Sequence, residues 1–159
     1  GESVMQKILI PMDDSQNAKR AAEFVAKSFT PENKVTLFNV MLDTAALCDM
    51  DSPELTPLFR SQQSSFCTLE DKKRELVTEA LNDAREVLLS AGYPPENVTI
   101  KVENKKHGVA RDILQEAENG YDVIAMGRRG LSSIQEFFVG SISNKVIHTA
   151  KNISVLIVH

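Results

Sequence analysis

Residues 126 to 143, MGRRGLSSIQEFFVGSIS, concentrate groups suited to holding an anion. Gly127, Gly130 and Gly140 are three of the chain's seven glycines, and Ser141 follows the last of them directly. An apolar run, YDVIAM, leads in, and a helical pattern, SISNKVIHTA, leads out. Glycine after a strand lets the backbone take positive φ and lets a ligand come close. Successive N–H groups in such a turn form an anion-binding nest. Gly140 and Ser141 stand at a helix start, where unpaired N–H groups and the helix dipole favour phosphate. Ser141 is placed to cap that helix, Ser143 adds a hydroxyl, and Arg128 and Arg129 add positive charge. Upstream, Asp13 follows the apolar run KILIPM and could accept hydrogen bonds from a ribose or a base. The chemistry is that of a nucleotide site, with the base near Asp13 and the phosphates near Gly130 and Gly140. Taken alone, two glycines merely shape a turn and a serine merely caps a helix, so the decision rests on where the fold puts them.

The chain alternates between two periods. KILIPM (7–12), KVTLFNVML (34–42), NVTIKVEN (97–104), YDVIAMG (121–127) and ISVLIVH (153–159) read as strands, rich in β-branched and apolar residues. Between them, residues 15–29 repeat apolar residues at Ala18, Ala22, Val25, Ala26 and Phe29, with Ser15 as cap. TLED (68–71) is a capping-box pattern that opens a helix with the face Leu76, Val77, Ala80, Leu81, Ala84, Val87, Leu88 and Ala91, stopped by Gly92. Helices are also expected over 108–120 and 141–151. Residues 43–68 break the rhythm and predict a long irregular segment with room for one short helix, of the kind that is usually functional or mobile.

Five strands alternating with four helices predict a three-layer α/β domain covering 1–159: a parallel sheet in the order 3-2-1-4-5 with helices on both faces. In that order strands 1 and 4 are neighbours and the winding reverses between them. Ligands bind at that reversal, beyond the carboxyl ends of the strands. Asp13 and the glycine stretch occupy the two loops there.

Bulk properties exclude other classes. The chain has 159 residues, 42% of them hydrophobic, and a net charge of −4, which lacks the basic footprint of a nucleic-acid binder. No apolar run approaches the roughly 20 residues of a membrane span, and no signal-peptide pattern opens the sequence. A cytoplasmic protein is expected. Cys48 and Cys67 are expected as free thiols there.

The spacing Gly127-x-x-Gly130, nine residues, then Gly140-Ser141 matches the G-2x-G-9x-G-(S/T) signature of the universal stress protein family, in its ATP-binding branch. KILIPMDDSQNAKRAAEFV resembles that family's opening strand, aspartate and first helix, and DVIAMG its fourth strand. The likeness covers nearly the whole chain. It implies an adenine nucleotide alpha hydrolase-like, Rossmann-like fold, ATP or AMP as ligand with Mg²⁺ able to accompany ATP, a stress-response role, and a homodimer through the strand at 153–158. The cofactor-binding set it implies begins with Pro11, Met12 and Asp13, with Asp13 on the adenosine, and Val40 flanking the base. It continues with Met126, Gly127, Arg128, Arg129, Gly130, Gly140, Ser141, Ile142 and Ser143, whose glycines and hydroxyls meet phosphates and ribose. Three positions depart from the family pattern: Asp14 where glycine or an aromatic is common, Ser154 where proline is common, and the pair Arg128-Arg129.

Three functions compete on the sequence. The first is a nucleotide-binding regulatory protein, which reports its ligand by ordering residues 131–139, with the 43–68 segment as a further candidate. The second is a slow ATPase or nucleotidyl-transfer enzyme using the same pocket, for which no Walker-type motif is present. The third is a dimeric interaction module without ligand, against which the intact glycine-serine spacing argues. A phosphoryl-accepting receiver would share the acidic pair Asp13-Asp14, but it needs an aspartate ending the third strand and a lysine ending the fifth. Here those ends read VENKK and VH. His107, before a helix, could approach the rim of the site but reads more simply as an exposed loop residue, His148 has no partner in sequence view, and no metal ligands are assigned.

Overall fold

The computed structural model describes residues 5–13, 16–48, 56–127 and 141–158. The order is β1 (Lys7–Pro11), α1 (Gln16–Ser28), β2 (Lys34–Met41), α2 (Ala45–Cys48), α3 (Pro57–Ser90), β3 (Val98–Asn104), α4 (Val109–Ala117), β4 (Val123–Gly127), α5 (Ser141–Thr149) and β5 (Ser154–Val158), with a 3₁₀ turn before β3. The strands form one sheet in the order β3-β2-β1-β4-β5, parallel throughout, as expected from the alternation.

Burial on both faces explains why β1 reads as an unbroken apolar run rather than an alternating one. Ile8 and Ile10 point into a core shared with α1 and α3, around Val25, Val35, Leu37, Leu81 and Leu88. Leu9, between them, points into a second core, shared with α4 and α5, with Phe38, Ile113, Ile124 and Val146. Helix α1 buries Ala18, Ala21, Ala22 and Val25, close to the predicted face. Glycine is required where α3 ends. Gly92 has φ +101°, its N–H donates to the Leu89 carbonyl, and the Tyr93 N–H donates to the Leu88 carbonyl, the double closure that stops a helix.

The segment 43–68 is corrected by the structure. Helix α3 begins at Pro57, eleven residues before the TLED pattern, with Thr56 as its cap accepting from the Phe59 N–H at 3.2 Å. Proline at the first helical position is pre-set for the turn and has no N–H to orphan. Thr68 does not cap; its hydroxyl donates to the Ser64 carbonyl one turn back inside the same helix. Only Val77, Leu81, Ala84 and Leu88 of α3 are buried, and Leu76, predicted on the core face, is exposed. At 34 residues α3 is about 51 Å long, against about 26 Å for the eight residues of β2. About 25 Å of it, roughly its first seventeen residues, therefore runs past the carboxyl edge of the sheet.

The cysteines are the second correction. Cys48, ending α2, and Cys67, in the overhanging part of α3, form a disulfide, with Cα atoms 5.8 Å apart. The expectation of free thiols fails because the fold turns the chain back on itself between them and brings the two side chains into bonding range.

Candidate functional site at the carboxyl edge of the sheet

Pro11 ends β1 in register with Phe38 of β2, and Ile8 and Leu9 pair with Val123 and Ile124 of β4. Continuing these registers sets Asp13 level with Val40 on one side, and Pro11 and Met12 level with Met126 and Gly127 on the other. Six residues from three separate parts of the sequence thus meet at the carboxyl ends of three adjacent strands, where the winding reverses. Helix α5 starts at Ser141 and returns antiparallel to the strands, so its N-terminus faces the same edge. Ser141, Ile142 and Ser143 form its first turn. Arg128, Arg129, Gly130 and Gly140 lie outside the described residues, as do Asp14 and Ser15.

The Met12–Asp13 turn is fixed by two bonds to β2. The Met12 N–H donates to the Phe38 carbonyl at 2.7 Å, and the Asn39 Nδ2 donates to the Met12 carbonyl at 2.7 Å. Asn39 is 5% exposed, and its Oδ1 is buried without a hydrogen-bond partner among the described residues. A buried amide that uses its donor and leaves its acceptor idle is uncommon, because desolvating that oxygen is unfavourable by about 1–3 kcal/mol. Asn39 thus holds the backbone that presents Asp13 and carries a spare acceptor beneath it. This positioning residue was missed from the sequence. The available signal was a carboxamide inside TLFNVML, a strand otherwise apolar enough to be buried on both faces.

A second polar constellation lies under α4. Glu116 is buried and accepts from Lys101 Nζ at 2.7 Å, Tyr121 Oη at 2.9 Å and Asn119 Nδ2 at 3.2 Å. Burial pushes its carboxyl up, but the bonds from Lys101 and Tyr121 outweigh that and hold it below the usual glutamate value of 4.5. Asp112 is also buried, and its carboxylate accepts the N–H groups of Lys106 and His107 at 2.8 and 3.1 Å. Burial again opposes ionisation, and those backbone bonds win, leaving it below 3.8. Both acids line a polar crevice of about 260 Å³ between β3 and α4, with Lys101, Lys106, Gln115 and Asn119. None of the sequence-predicted site residues lines it. Each acid is saturated by its own partners, which marks a structural role. His107 belongs to this loop through its N–H, and His148 is exposed on α5.

Among the described residues, no three His, Cys, Asp or Glu side chains are grouped as metal ligands. No described helix is long and apolar enough to cross a membrane.

An all-parallel sheet in the order 3-2-1-4-5, its winding reversing between β1 and β4, defines a doubly wound α/β class. Residues 5–159 match the model of the universal stress protein family, and the chain belongs to that family. Among solved structures it is similar to the universal stress protein UspA from Lactobacillus plantarum, at 21% identity and TM-score 0.70, covering 99% of this chain and 100% of that one. It is also similar to a universal stress protein in complex with cAMP, at 21% identity and TM-score 0.61, covering 99% and 98%. A third is the universal stress protein from Archaeoglobus fulgidus in complex with dAMP, at 17% identity and TM-score 0.60, covering 98% of both chains. No curated protein sequence matches the chain significantly.

Proposed function

We propose that the protein is a regulatory nucleotide binder that takes ATP or AMP at the switch point between β1 and β4. The observation that carries this reading is the meeting of Asp13, Val40, Met126 and Gly127 at one edge, over a Met12 carbonyl held by buried Asn39. Asp13 accepts from the ribose hydroxyls, and Pro11, Met12 and Val40 form the walls beside the base. Gly127, Gly130 and Gly140 let the backbone reach the phosphates, which the N–H groups opening α5 at Ser141, Ile142 and Ser143 receive, with Arg128 and Arg129 supplying charge. Two relatives of the same fold hold adenine nucleotides, cAMP and dAMP, which supports the ligand class. Mg²⁺ enters only as the companion of ATP phosphates.

The protein acts as a homodimer paired through β5. That edge strand carries Val155, Leu156 and Ile157, all half-buried, and no charge. A bare apolar edge invites a second chain. The role is cytoplasmic stress signalling, with bound nucleotide as the signal. The test is mass spectrometry of nucleotide released from purified, denatured protein. An adenine nucleotide is expected, and release of a guanine or pyrimidine nucleotide in its place would contradict the ligand class.

A further inference from the structure

The overhang of α3 has almost no packing to hold it. From Pro57 to Leu76 no residue is buried, and Leu58 and Leu69 are 69% and 68% exposed. Isolated helical segments are marginal in water, because nucleation is unfavourable and length alone offsets it slowly. Among the described residues, a strap of three ties joins this one to the chain that leaves β2. Arg74 Nη2 donates to the Leu42 carbonyl at 3.1 Å and to Thr44 Oγ1 at 3.0 Å. Gln63 Nε2 donates to the Leu47 carbonyl. Between them, the Cys48–Cys67 disulfide joins α2 to α3 across 19 residues of sequence. Arg74 ties the base of the overhang to buried Thr44, but Gln63 ties its outer part to α2, a helix of only four residues. The disulfide anchors the end of α2 against the same stretch of helix and so supports the outer tie.

We propose that Cys48–Cys67 is a redox-modification site whose state sets the ordered length of α3. Both cysteines are half-buried rather than sealed in a core, so a thiol reagent can reach the bond. The co-reactant is a dithiol. Its thiolate attacks one Sγ, forming a mixed disulfide and expelling the other cysteine as a thiolate that takes up a proton. The reagent's second thiol then resolves the mixed disulfide, leaving two cysteine thiols on the chain and the reagent oxidised to its own disulfide. Two electrons and two protons have passed to the protein. Oxidised, α3 is a continuous helix presenting Leu58, Phe59 and Leu69; reduced, it unwinds from its start toward the Arg74 tie. The inference rests on the strap alone and holds whether or not a nucleotide binds.

The experiment is hydrogen exchange read by mass spectrometry on the full chain, before and after reduction with dithiothreitol, beside Cys48→Ser and Cys67→Ser. Denatured, unreduced protein should show no reactive thiol, and reduced protein two. Amides within 57–70 should exchange at least about tenfold faster after reduction, while 77–90 stay unchanged. Either serine variant should match the reduced protein and ignore the reductant, which separates loss of the bond from side effects of the reagent. Free thiols in the air-oxidised protein would overturn the proposal. Exchange over 57–70 that is equal in both states, or acceleration that spreads equally to 77–90, would overturn it too.

Discussion

Asn39 offers a perturbation that separates stability from ligand binding. In Asn39→Leu the bond from Nδ2 to the Met12 carbonyl is lost, and that buried carbonyl is left unpaired, a penalty of about 1–3 kcal/mol. The idle Oδ1 leaves with the same substitution, returning a desolvation penalty of about the same size. The two nearly cancel, so stability should change by about 1 kcal/mol or less, a Tm shift of no more than about 4 °C for a chain of this size. Asn39→Asp is different. At neutral pH it sets a buried carboxylate against a carbonyl oxygen, which should destabilise by about 3–5 kcal/mol. That carboxyl's folded pKa is raised above the ordinary aspartate value of about 3.9, so the variant regains stability relative to wild type as pH falls through the folded pKa. Protonated, its O–H can donate to the Met12 carbonyl as the amide does. The assay is thermal unfolding by circular dichroism at pH 7 and pH 4.5, with each variant compared with wild type at the same pH. Calorimetric titration of Asn39→Leu with ATP should show affinity weakened about tenfold, because Asp13 loses its fixed backbone. An aspartate tolerated as well as leucine at pH 7, or a deficit that does not shrink at pH 4.5, would refute the reasoning.

Other outcomes follow from the same geometry. Glu116→Ala should lower stability by about 2–4 kcal/mol, since it takes away the acceptor of the buried Tyr121 O–H and opens a void, while leaving nucleotide affinity within about twofold; denaturant unfolding and titration check the two halves. Because Glu116 and Asp112 have depressed folded pKa values, the stability they contribute is present above the unfolded values and is lost as pH falls through the folded ones. In Glu116→Ala, acid unfolding should accordingly be shallower than in wild type below about pH 4.5. Sedimentation equilibrium should give a dimer, and Val155→Glu, with folding verified by circular dichroism, should give a monomer; a strict monomer in wild type at high concentration would reject pairing through β5. Phosphate release from ATP with excess Mg²⁺ should stay far below about 1 per second, and turnover at that rate, abolished in Asp13→Ala, would replace the sensor with an ATPase.

The sheet was legible because both of its faces are buried. Runs such as ILI (8–10) and VIAM (123–126) carry no polar residue to mistake for a turn, and the order of strands followed from alternation and crossover handedness. The start of α3 was not legible, for the complementary reason. Residues 57–76 bury nothing, so SQQSS carries no apolar period, and the periodic signal begins only where the helix reaches the sheet, near Val77. Thr56-Pro57 did mark the true start, but that cap stands before a segment with no face to confirm it. The disulfide could not be read at all, because Cys48 and Cys67 meet only after α2 and α3 have formed. At the candidate site, the placement of Asp13 and Gly127 at strand ends followed from the strand order, and the buried lock beneath them was not read, because a lone carboxamide inside TLFNVML gives no sign of which backbone it ties.

Calorimetric titration of nucleotide-free protein with ATP and with AMP, beside a folded Gly140→Val protein, tests the central claim most directly. One adenine nucleotide should bind per chain, and the valine side chain at 140 should weaken binding by at least about a hundredfold by keeping the backbone from the phosphates. No heat of binding for either nucleotide in the folded wild type would contradict the account, and undiminished binding by Gly140→Val would move the phosphates away from the start of α5.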